Sequence, residues 1–242
     1  MIVIKLGGSV ITQKSEYKSF NESVVQKIVK TLKGLNDKMI IVHGGGSFGH
    51  IKAKEYGLPG YANQETVKGM NIVHNDMVEL NVKISEILYT NGIYNISLPV
   101  SSLIYDNKKN YTVFKRYLDM GITPVSYGDT YIHGNRIGIY SGDNIAYDVS
   151  KRFHPSAVVF FSDVDGIYDK NPKTNPDAKL LKTISGEFKH EEITADVTGG
   201  IMNKYIKMRN ISDLGIPVYL INGLYPERMY NIGRDNFMGT VV

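Results

Sequence analysis

The sequence contains no cysteine, and its apolar runs are short. The absence of cysteine excludes disulfides, thiolate zinc sites, iron–sulfur clusters and cysteine nucleophiles, and it fits a reducing compartment. An apolar run such as residues 157–161 is far below the roughly 20 residues that cross a bilayer. The N-terminus lacks the basic region, apolar run and cleavage site of a signal peptide, so we expect a soluble, cytoplasmic protein.

Charge and length limit the classes of partner and the number of domains. The 28 Lys and Arg against 24 Asp and Glu give a formal net charge of +4. This excess does not require a nucleic-acid partner, but it is compatible with an anionic small molecule. A chain of 242 residues, 42% of them hydrophobic, can build one large domain or two small lobes. The only boundary signal, near residues 150–155, is weak.

Apolar runs alternate with helical patterns along the chain. Compact runs predict buried strands at residues 2–6, 39–42, 96–100, 124–127, 158–161 and 218–221. A helix is predicted over residues 21–35, with Asn21 as its cap. A second helix is predicted from apolar side chains that recur every three or four residues: Val73, Met77, Leu80, Ile84 and Ile87. This alternation predicts an α/β fold, in which ligands bind outside the carboxyl ends of the strands.

Two segments interrupt this alternation. Residues 131–140 alternate around Gly134 and Asn135, which predicts a β-hairpin near the site. Residues 169–177 contain Pro172 and Pro176 and are predicted to form a loop.

Two glycine clusters follow the first two predicted strands. The first is KLGGS at residues 5–9, with Lys14 shortly after it, and the second is HGGGSFGH at residues 43–50. Consecutive glycines let backbone N–H groups converge on an anion, and a lysine adds charge. The first cluster fits a tight turn with a solvated lysine equally well. His50 fits either a phosphate donor or a loop residue, whereas His43 favours a structural role at the strand end.

Three further polar clusters lie in the second half of the chain. In SGDN at residues 141–144, Asp143 is suited to cap the following helix. The Asp-x-Asp-Gly spacing at 163–166 lacks the later Glu of a calcium loop, so an EF-hand is rejected. In DVTGGIMNK at 196–204, Thr198 is suited to cap a helix whose N-terminal part carries Gly200 and Lys204, and helix N-termini favour phosphate.

Common sequence motifs of phosphate-binding proteins and protein kinases are missing. The sequence has no P-loop and no H-R-D or D-F-G signature. Residues 45–49 match the G-x-S-x-G elbow of serine hydrolases and overlap an HGGG string. In that fold the two strings belong to different loops, and several strands precede the nucleophile, so a serine hydrolase is disfavoured.

The five clusters, in this order, resemble the amino acid kinase superfamily, and within it the archaeal-type isopentenyl phosphate kinases. The resemblance spans residues 2–242, and the string ending in His50 decides the subfamily. It implies a three-layer αβα sandwich with a largely parallel sheet, forming one domain over 1–242. It also implies an acceptor lobe at about 1–152, an ATP lobe at about 153–242, a homodimer and a place in isoprenoid biosynthesis.

The resemblance assigns ligands residue by residue. By this resemblance, ATP is bound, mainly through its phosphates, by a set of eight residues: Lys5, Leu6, Gly7, Gly8, Ser9, Gly46, Gly200 and Lys204. The acceptor phosphate is assigned to Gly45, His50 and Gly142. The nucleoside pocket is assigned to Asp163 and to residues 168–172, which include Tyr168 and Lys170. Lys14 matches the transition-state stabiliser, and Asp143 matches the residue that organises the lysines. The implied catalytic set is Lys5, Lys14, His50, Asp143 and Lys204.

The implied reaction is ATP-dependent phosphoryl transfer to isopentenyl phosphate. ATP itself would hold most of the Mg²⁺, so we expect no protein ligand to the metal. Met70 and Val73 are suited to line a slot for the five-carbon tail, although the same stripe also fits plain core. The alternatives are a fosfomycin, UMP, carbamate or acyl-group kinase of the same superfamily, and a non-catalytic nucleotide sensor. The lysines argue against the sensor. We expect no nucleic-acid or membrane partner.

Overall fold

Seven strands pair into one central sheet in the computed structural model, which describes residues 1–13, 15–105, 108–170, 172, 174–184 and 200–242. The strands of this sheet are β1 Ile2–Leu6, β2 Met39–His43, β4 Asn95–Ser97, β7 Thr123–Tyr127, β10 Ala157–Ser162, β13 Val218–Asn222 and β14 Thr240–Val241. Their order is β14-β13-β10-β1-β2-β7-β4, and every neighbouring pair is parallel except β13 with β14.

Short strands form three small sheets beside the central one. The pairings are β3 with β9 and β9 with β8, β5 with β6, and β11 with β12. These strands are β3 Gly60–Tyr61, β5 Ile104–Tyr105, β6 Lys108–Lys109, β8 Asp129–His133, β9 Arg136–Tyr140, β11 Ile167–Tyr168 and β12 Leu180–Leu181.

Helices pack on both faces of the central sheet. They are α1 Gly8–Ile11, α2 Glu22–Lys33, α3 Gly46–Glu55, α4 Gln64–Thr90, α5 Val100–Leu103, α6 Thr112–Asp119, α7 Gly142–Phe153 and α8 Gly200–Ser212, with a 3-10 helix at Pro226–Asn231. Among the described residues, no helix is long and apolar enough to cross a membrane.

The alternation of side chains along β1 separates two apolar cores. Ile4 and Leu6 join a core with α2 and α4, whereas Val3 joins a core on the other face with α6, α7 and α8. Lys5 has the same parity as Val3, so its side chain lies on the α7 and α8 face at the carboxyl end of the strand. These layers confirm the predicted αβα sandwich with a largely parallel sheet.

The predicted hairpin is confirmed as β8 and β9, and Gly134 adopts φ +56° at its turn. Strand β4 differs from the prediction, because it ends at Ser97 and Val100 begins α5. Pro99 has no N–H for a strand ladder, and it occupies the N-cap position of α5 instead.

Helix capping also differs from the sequence prediction. Asn21 precedes α2, but its side chain makes no cap bond and donates to the carbonyl of Val10 at 3.1 Å. Helix α2 ends at Lys33, because Gly34 takes the C-cap position. The predicted cap Thr198 lies outside the described residues.

Candidate active site

A cleft of about 900 Å³ opens at the carboxyl edge of the central sheet. The ends of β1, β2 and β10 and the starts of α1, α3 and α7 surround it, and α8 closes one side. The structure brings fourteen predicted residues to its wall: Lys5, Gly7, Gly8, Ser9, Gly45, Gly46, His50, Val73, Gly142, Asp143, Asp163, Tyr168, Lys170 and Lys204.

The remaining predicted residues lie elsewhere or are not described. The side chain of Leu6 is fully buried in the core below the cleft. Met70 is half-buried and packs against that core rather than lining the cleft. Gly200 is the first residue of α8, and Lys14 lies outside the described residues.

The turns after β1 and β2 are in backbone contact. A Cβ atom added to Gly8 would lie 2.3 Å from the amide nitrogen of Gly46, a distance that real Cβ atoms do not reach. Gly46 has φ +49°, in the left-handed region that favours glycine. The amide of Gly44 donates to the carbonyl of Leu6 at 2.9 Å, which joins the two strand ends. Two helix starts therefore present their backbone N–H groups to the same cleft.

Thr12 fixes the relative position of these two turns. Its hydroxyl donates to the carbonyl of Gly8 at 2.8 Å and accepts the amide of Ser47 at 2.9 Å. Ser47 is 1% exposed, and its hydroxyl donates to the carbonyl of Ser19 at 3.4 Å. A buried hydroxyl engaged in this way is not the exposed nucleophile that a serine hydrolase needs, which removes that alternative.

A buried lysine and an aspartate form the central ion pair of the cleft. The Lys5 ammonium, in a residue 5% exposed, lies 2.5 Å from the carboxylate of Asp143. Burial raises the pKa of Asp143, but Lys5, with the charges of Lys204 and Lys207, outweighs it and holds that pKa below its usual range. Asp143 is therefore ionised at neutral pH.

The capping alternative for Asp143 is wrong. Ser141 is the N-cap residue of α7, and its hydroxyl accepts the amide of Asn144 at 3.2 Å. Because Ser141 performs the capping, the carboxylate of Asp143 in the first helical turn points to Lys5 instead.

A chain of hydrogen bonds joins α8 and β10 to the first glycine turn. The buried Lys204 ammonium donates to the hydroxyl of Ser162 at 2.5 Å. Ser9 donates to the carboxylate of the neighbouring Asp163 at 2.6 Å. Lys204 is thereby held beside the turn that contains Gly7 and Gly8.

The other end of the cleft is lined by apolar groups. Val73 and Met77 of α4 are buried, and Ile139 of β9 lines the same cleft. His50 of α3 is exposed at this end. Gly142 begins α7 close to β2, because a Cβ there would lie 2.8 Å from the carbonyl of His43. The arrangement suits a ligand with an anionic head and a small apolar tail.

The segment after α1 is anchored to α4. The side chains of Tyr17 and Lys18 both reach the buried carboxylate of Asp76, at 2.6 and 2.7 Å. Lys18 also pairs with Glu79 at 2.7 Å, and its backbone φ is +58°. Asp76 therefore holds this segment one helical turn from the cleft residue Val73.

His43 has a structural role. It is fully buried, stacks on Tyr127 with ring centroids 5.0 Å apart, and its Nε2 lies 3.3 Å from the side-chain oxygen of Asn81. Burial lowers the pKa of His43 to about 4, so the imidazole is neutral at physiological pH.

Sequence reasoning missed several groups at the cleft. Lys207 lies one helical turn after Lys204 on α8, and that three-residue spacing is a signal that the sequence contained. Near the predicted nucleoside pocket, Asp165 accepts from Arg228 and from Asn222. Burial raises the pKa of Asp165, but Arg228 and Asn222 outweigh it and hold that pKa below its usual range. Only the fold reveals these partners, because they are 57 and 63 residues away in sequence.

The described residues contain no group of three or more histidine, aspartate or glutamate side chains placed to hold a metal ion. The cleft therefore combines backbone amides, lysines and a slot lined by apolar side chains. That combination is typical of sites that transfer phosphoryl groups between anionic ligands.

The model of the amino acid kinase family matches residues 1–222. The chain belongs to this family. Among curated members, it is 47% identical to isopentenyl phosphate kinase of Thermoplasma acidophilum, with 100% of both chains covered. It is 32% identical to isopentenyl phosphate kinase of Methanothermobacter thermautotrophicus over 93% of this chain and 92% of that one.

A solved structure shows the same likeness in three dimensions. The product complex of T. acidophilum isopentenyl phosphate kinase superimposes with a TM-score of 0.91 at 46% identity, covering 100% of this chain and 99% of that one. The amino acid kinase fold that the sequence predicted is thus confirmed, and so is the likeness to isopentenyl phosphate kinases.

Replacing Gly8 with alanine tests the contact between the two glycine turns. We expect Gly8→Ala to lower kcat/KM for ATP by about 100-fold, because the Cβ would push the turns apart and a misplacement of about 1 Å has that effect. The measurement is steady-state turnover with ATP varied, at a temperature where circular dichroism shows the variant folded.

Gly215→Ala is the matched control, because Gly215 has φ +78° but nothing within 4 Å of an added Cβ. This variant should lose stability and keep its kcat/KM. Equal kcat/KM in Gly8→Ala and the native protein would show that the turns do not need this close approach.

Proposed function

We propose that this protein transfers the γ-phosphoryl group of ATP to isopentenyl phosphate, giving isopentenyl diphosphate and ADP. The observation that carries the proposal is the full-length similarity to isopentenyl phosphate kinases, 47% identity in one case. The cleft supports it independently. The same cleft contains the two glycine turns and a slot lined by the apolar side chains of Val73, Met77 and Ile139.

The ATP phosphates bind along the first glycine turn. Lys5, Lys204 and the amides of Gly7, Gly8, Ser9 and Gly46 neutralise and orient them, and Gly200 completes this site. The nucleoside lies beside Asp163, Tyr168 and Lys170. Lys170 also forms an ion pair with Asp177.

The acceptor phosphate binds between Gly45, His50 and Gly142. Its five-carbon tail enters the slot between α4 and β9, where Val73 contributes directly and Met70 packs behind it. A directional donor at His50 holds the acceptor in line with the γ-phosphorus, while the lysines act on the ATP side.

The reaction needs positioning and charge neutralisation more than it needs a base. An oxygen of isopentenyl phosphate forms a bond to the γ-phosphorus as the bond to the β,γ-bridging oxygen breaks, and ADP leaves. The second pKa of a monophosphate is about 6, so the group is largely a dianion at neutral pH. Its oxygen is therefore a competent nucleophile without a catalytic base. The two anionic substrates repel each other, and Lys5, Lys14 and Lys204 offset that repulsion. Asp143 holds Lys5 in place.

In this proposal any Mg²⁺ would be bound mainly by the ATP phosphates. The described residues offer no carboxylate cluster for a protein-held ion. The bound ion would supply additional neutralisation of the phosphate charge.

We further propose a cytoplasmic homodimer that acts in isoprenoid biosynthesis, with an acceptor lobe at about 1–152 and an ATP lobe at about 153–242. Helix α4 offers a surface for the second copy. Val67, Val78, Val82 and Tyr89 are exposed, and their spacing places them on one side of this helix.

An acceptor screen tests the proposed function. ADP release would be coupled to a dehydrogenase readout with five acceptors: isopentenyl phosphate, dimethylallyl phosphate, fosfomycin, UMP and N-acetylglutamate. We expect the highest kcat/KM with isopentenyl phosphate, because the others differ from it in tail shape, tail polarity or head charge. ADP release with an acyl acceptor but not with isopentenyl phosphate would contradict the proposal.

Replacing His50 separates acceptor binding from ATP binding. We expect His50→Ala to raise KM and to lower kcat/KM for isopentenyl phosphate by roughly 10- to 100-fold, because a hydrogen bond to a charged group is lost. The Kd of ATP, measured by calorimetry without acceptor, should stay within about twofold of the native value.

His50→Gln and His50→Asn distinguish a neutral hydrogen bond from a charge. Partial rescue by either variant would indicate hydrogen bonding, and no rescue would indicate the imidazolium charge. Unchanged kinetics in His50→Ala would remove the assigned role.

Lys14 and Lys204 are expected to act on the transition state. Lys14→Ala and Lys204→Ala should each lower kcat by about 10²–10³-fold, because a preorganised donor in a water-excluded site contributes about that much. Thermal unfolding should change little by comparison. Near-native turnover in both variants would show that neither lysine acts on the transition state.

A further inference from the structure

Lys207 is a charged group at the cleft for which the proposed mechanism has no role. It lies on α8 three residues after Lys204, so both side chains share one side of the helix. Lys207 lines the cleft and is half-buried. Its ammonium lies over the ring of Tyr147, 5.8 Å from the ring centroid.

The described lysines of the cleft differ in how their charge is offset. Lys5 pairs with Asp143, and Lys170 pairs with Asp177. Lys204 donates to Ser162. Within the described part of the chain, Lys207 has no carboxylate within 4.0 Å, and its contact is with the aromatic face of Tyr147. Its positive charge still reaches the site, because it contributes to lowering the pKa of Asp143.

The two packed helices place these groups in rows. Asp143 and Tyr147 are four residues apart on α7, and Lys204 and Lys207 are three residues apart on α8. Asp143, Lys204 and Lys207 line the cleft, and Tyr147 lies one helical turn beyond Asp143. Lys207 therefore extends the line of positive charge that starts at Lys5 and Lys204.

A cation held over the ring of a half-buried tyrosine such as Tyr147 is bound by about 0.5–2 kcal/mol. A charge-assisted hydrogen bond to a phosphate is stronger, at about 1.5–3 kcal/mol. The lysine ammonium sits on a flexible four-carbon stem and can turn from the ring to an anion in the cleft. Tyr147 thus holds Lys207 in reach of the site without neutralising it.

We propose that Lys207 is a further binding residue for the polyphosphate of a nucleoside triphosphate. The proposal rests on the proposed function for the identity of that ligand as ATP. Lys207 forms the contact by leaving the ring of Tyr147, and no covalent step is involved.

The test is the affinity for ATP in the absence of acceptor, measured by calorimetry on the full chain. Lys207→Gln should raise the Kd of ATP by roughly tenfold, because one charge-assisted hydrogen bond is lost. The Kd of isopentenyl phosphate, measured without ATP, should stay within about twofold of the native value. Lys207→Arg should restore most of the ATP affinity.

Lys151→Gln is the matched control, since Lys151 is an exposed lysine of α7 that does not line the cleft. It should leave the Kd of ATP unchanged and so account for the loss of one surface charge. Tyr147→Leu should retain or increase ATP affinity, because it removes the competing contact. An unchanged Kd in Lys207→Gln, or an equal loss in Lys151→Gln, would overturn the inference.

These outcomes are independent of the acceptor. If the native protein binds ATP but makes no ADP with isopentenyl phosphate, the proposed function fails while the role of Lys207 is still measured. If the native protein is active and Lys207→Gln binds ATP normally, only this inference fails.

Discussion

Close backbone contact between the turns after β1 and β2 is the constraint on which the cleft depends. Neighbouring parallel strands end side by side, and only glycine at Gly8 and Gly46 lets the following turns approach to this distance. Thr12 then ties the turns together through two hydrogen bonds. The result is a shared set of backbone donors at the start of two helices. Such converging donors can hold two anionic groups next to each other.

The second requirement of the cleft is a high density of positive charge in a position that is shielded from water. A buried lysine is costly unless an opposite charge offsets it, and Asp143 does this for Lys5 at 2.5 Å. The same carboxylate keeps the ammonium pointed at the cleft. Ser141 makes this possible, because it caps α7 and leaves the carboxylate available. Helix capping and charge placement are thus divided between Ser141 and Asp143 of one motif.

Much of this architecture could be predicted from the sequence, because its signals are local. Apolar runs identified most of the central strands, and the glycine strings at their ends marked the backbone turns that meet in the cleft. Lys5 and Lys204, which the sequence singled out because each belongs to a motif at a strand or helix end, both line the cleft.

Prediction from the sequence was incomplete where a competing local preference or a residue distant in the chain determines the structure. Pro99 shortened β4, and Ser141 rather than Asp143 capped α7. Leu6 belongs to the same string as Lys5, yet strand alternation sends its side chain into the core. The partners of Asp165 lie far along the chain, so no local pattern could reveal them.

The anchoring of Tyr17 and Lys18 to Asp76 makes the two walls of the apolar slot unequal. The α4 wall carries Val73 and also Asp76, so it is tied to the segment that follows the first glycine turn. Ile139 belongs instead to the small sheet of β3, β8 and β9. A shift of α4 at Val73 would therefore also move Tyr17 and Lys18, because both side chains are bound to Asp76 one helical turn away.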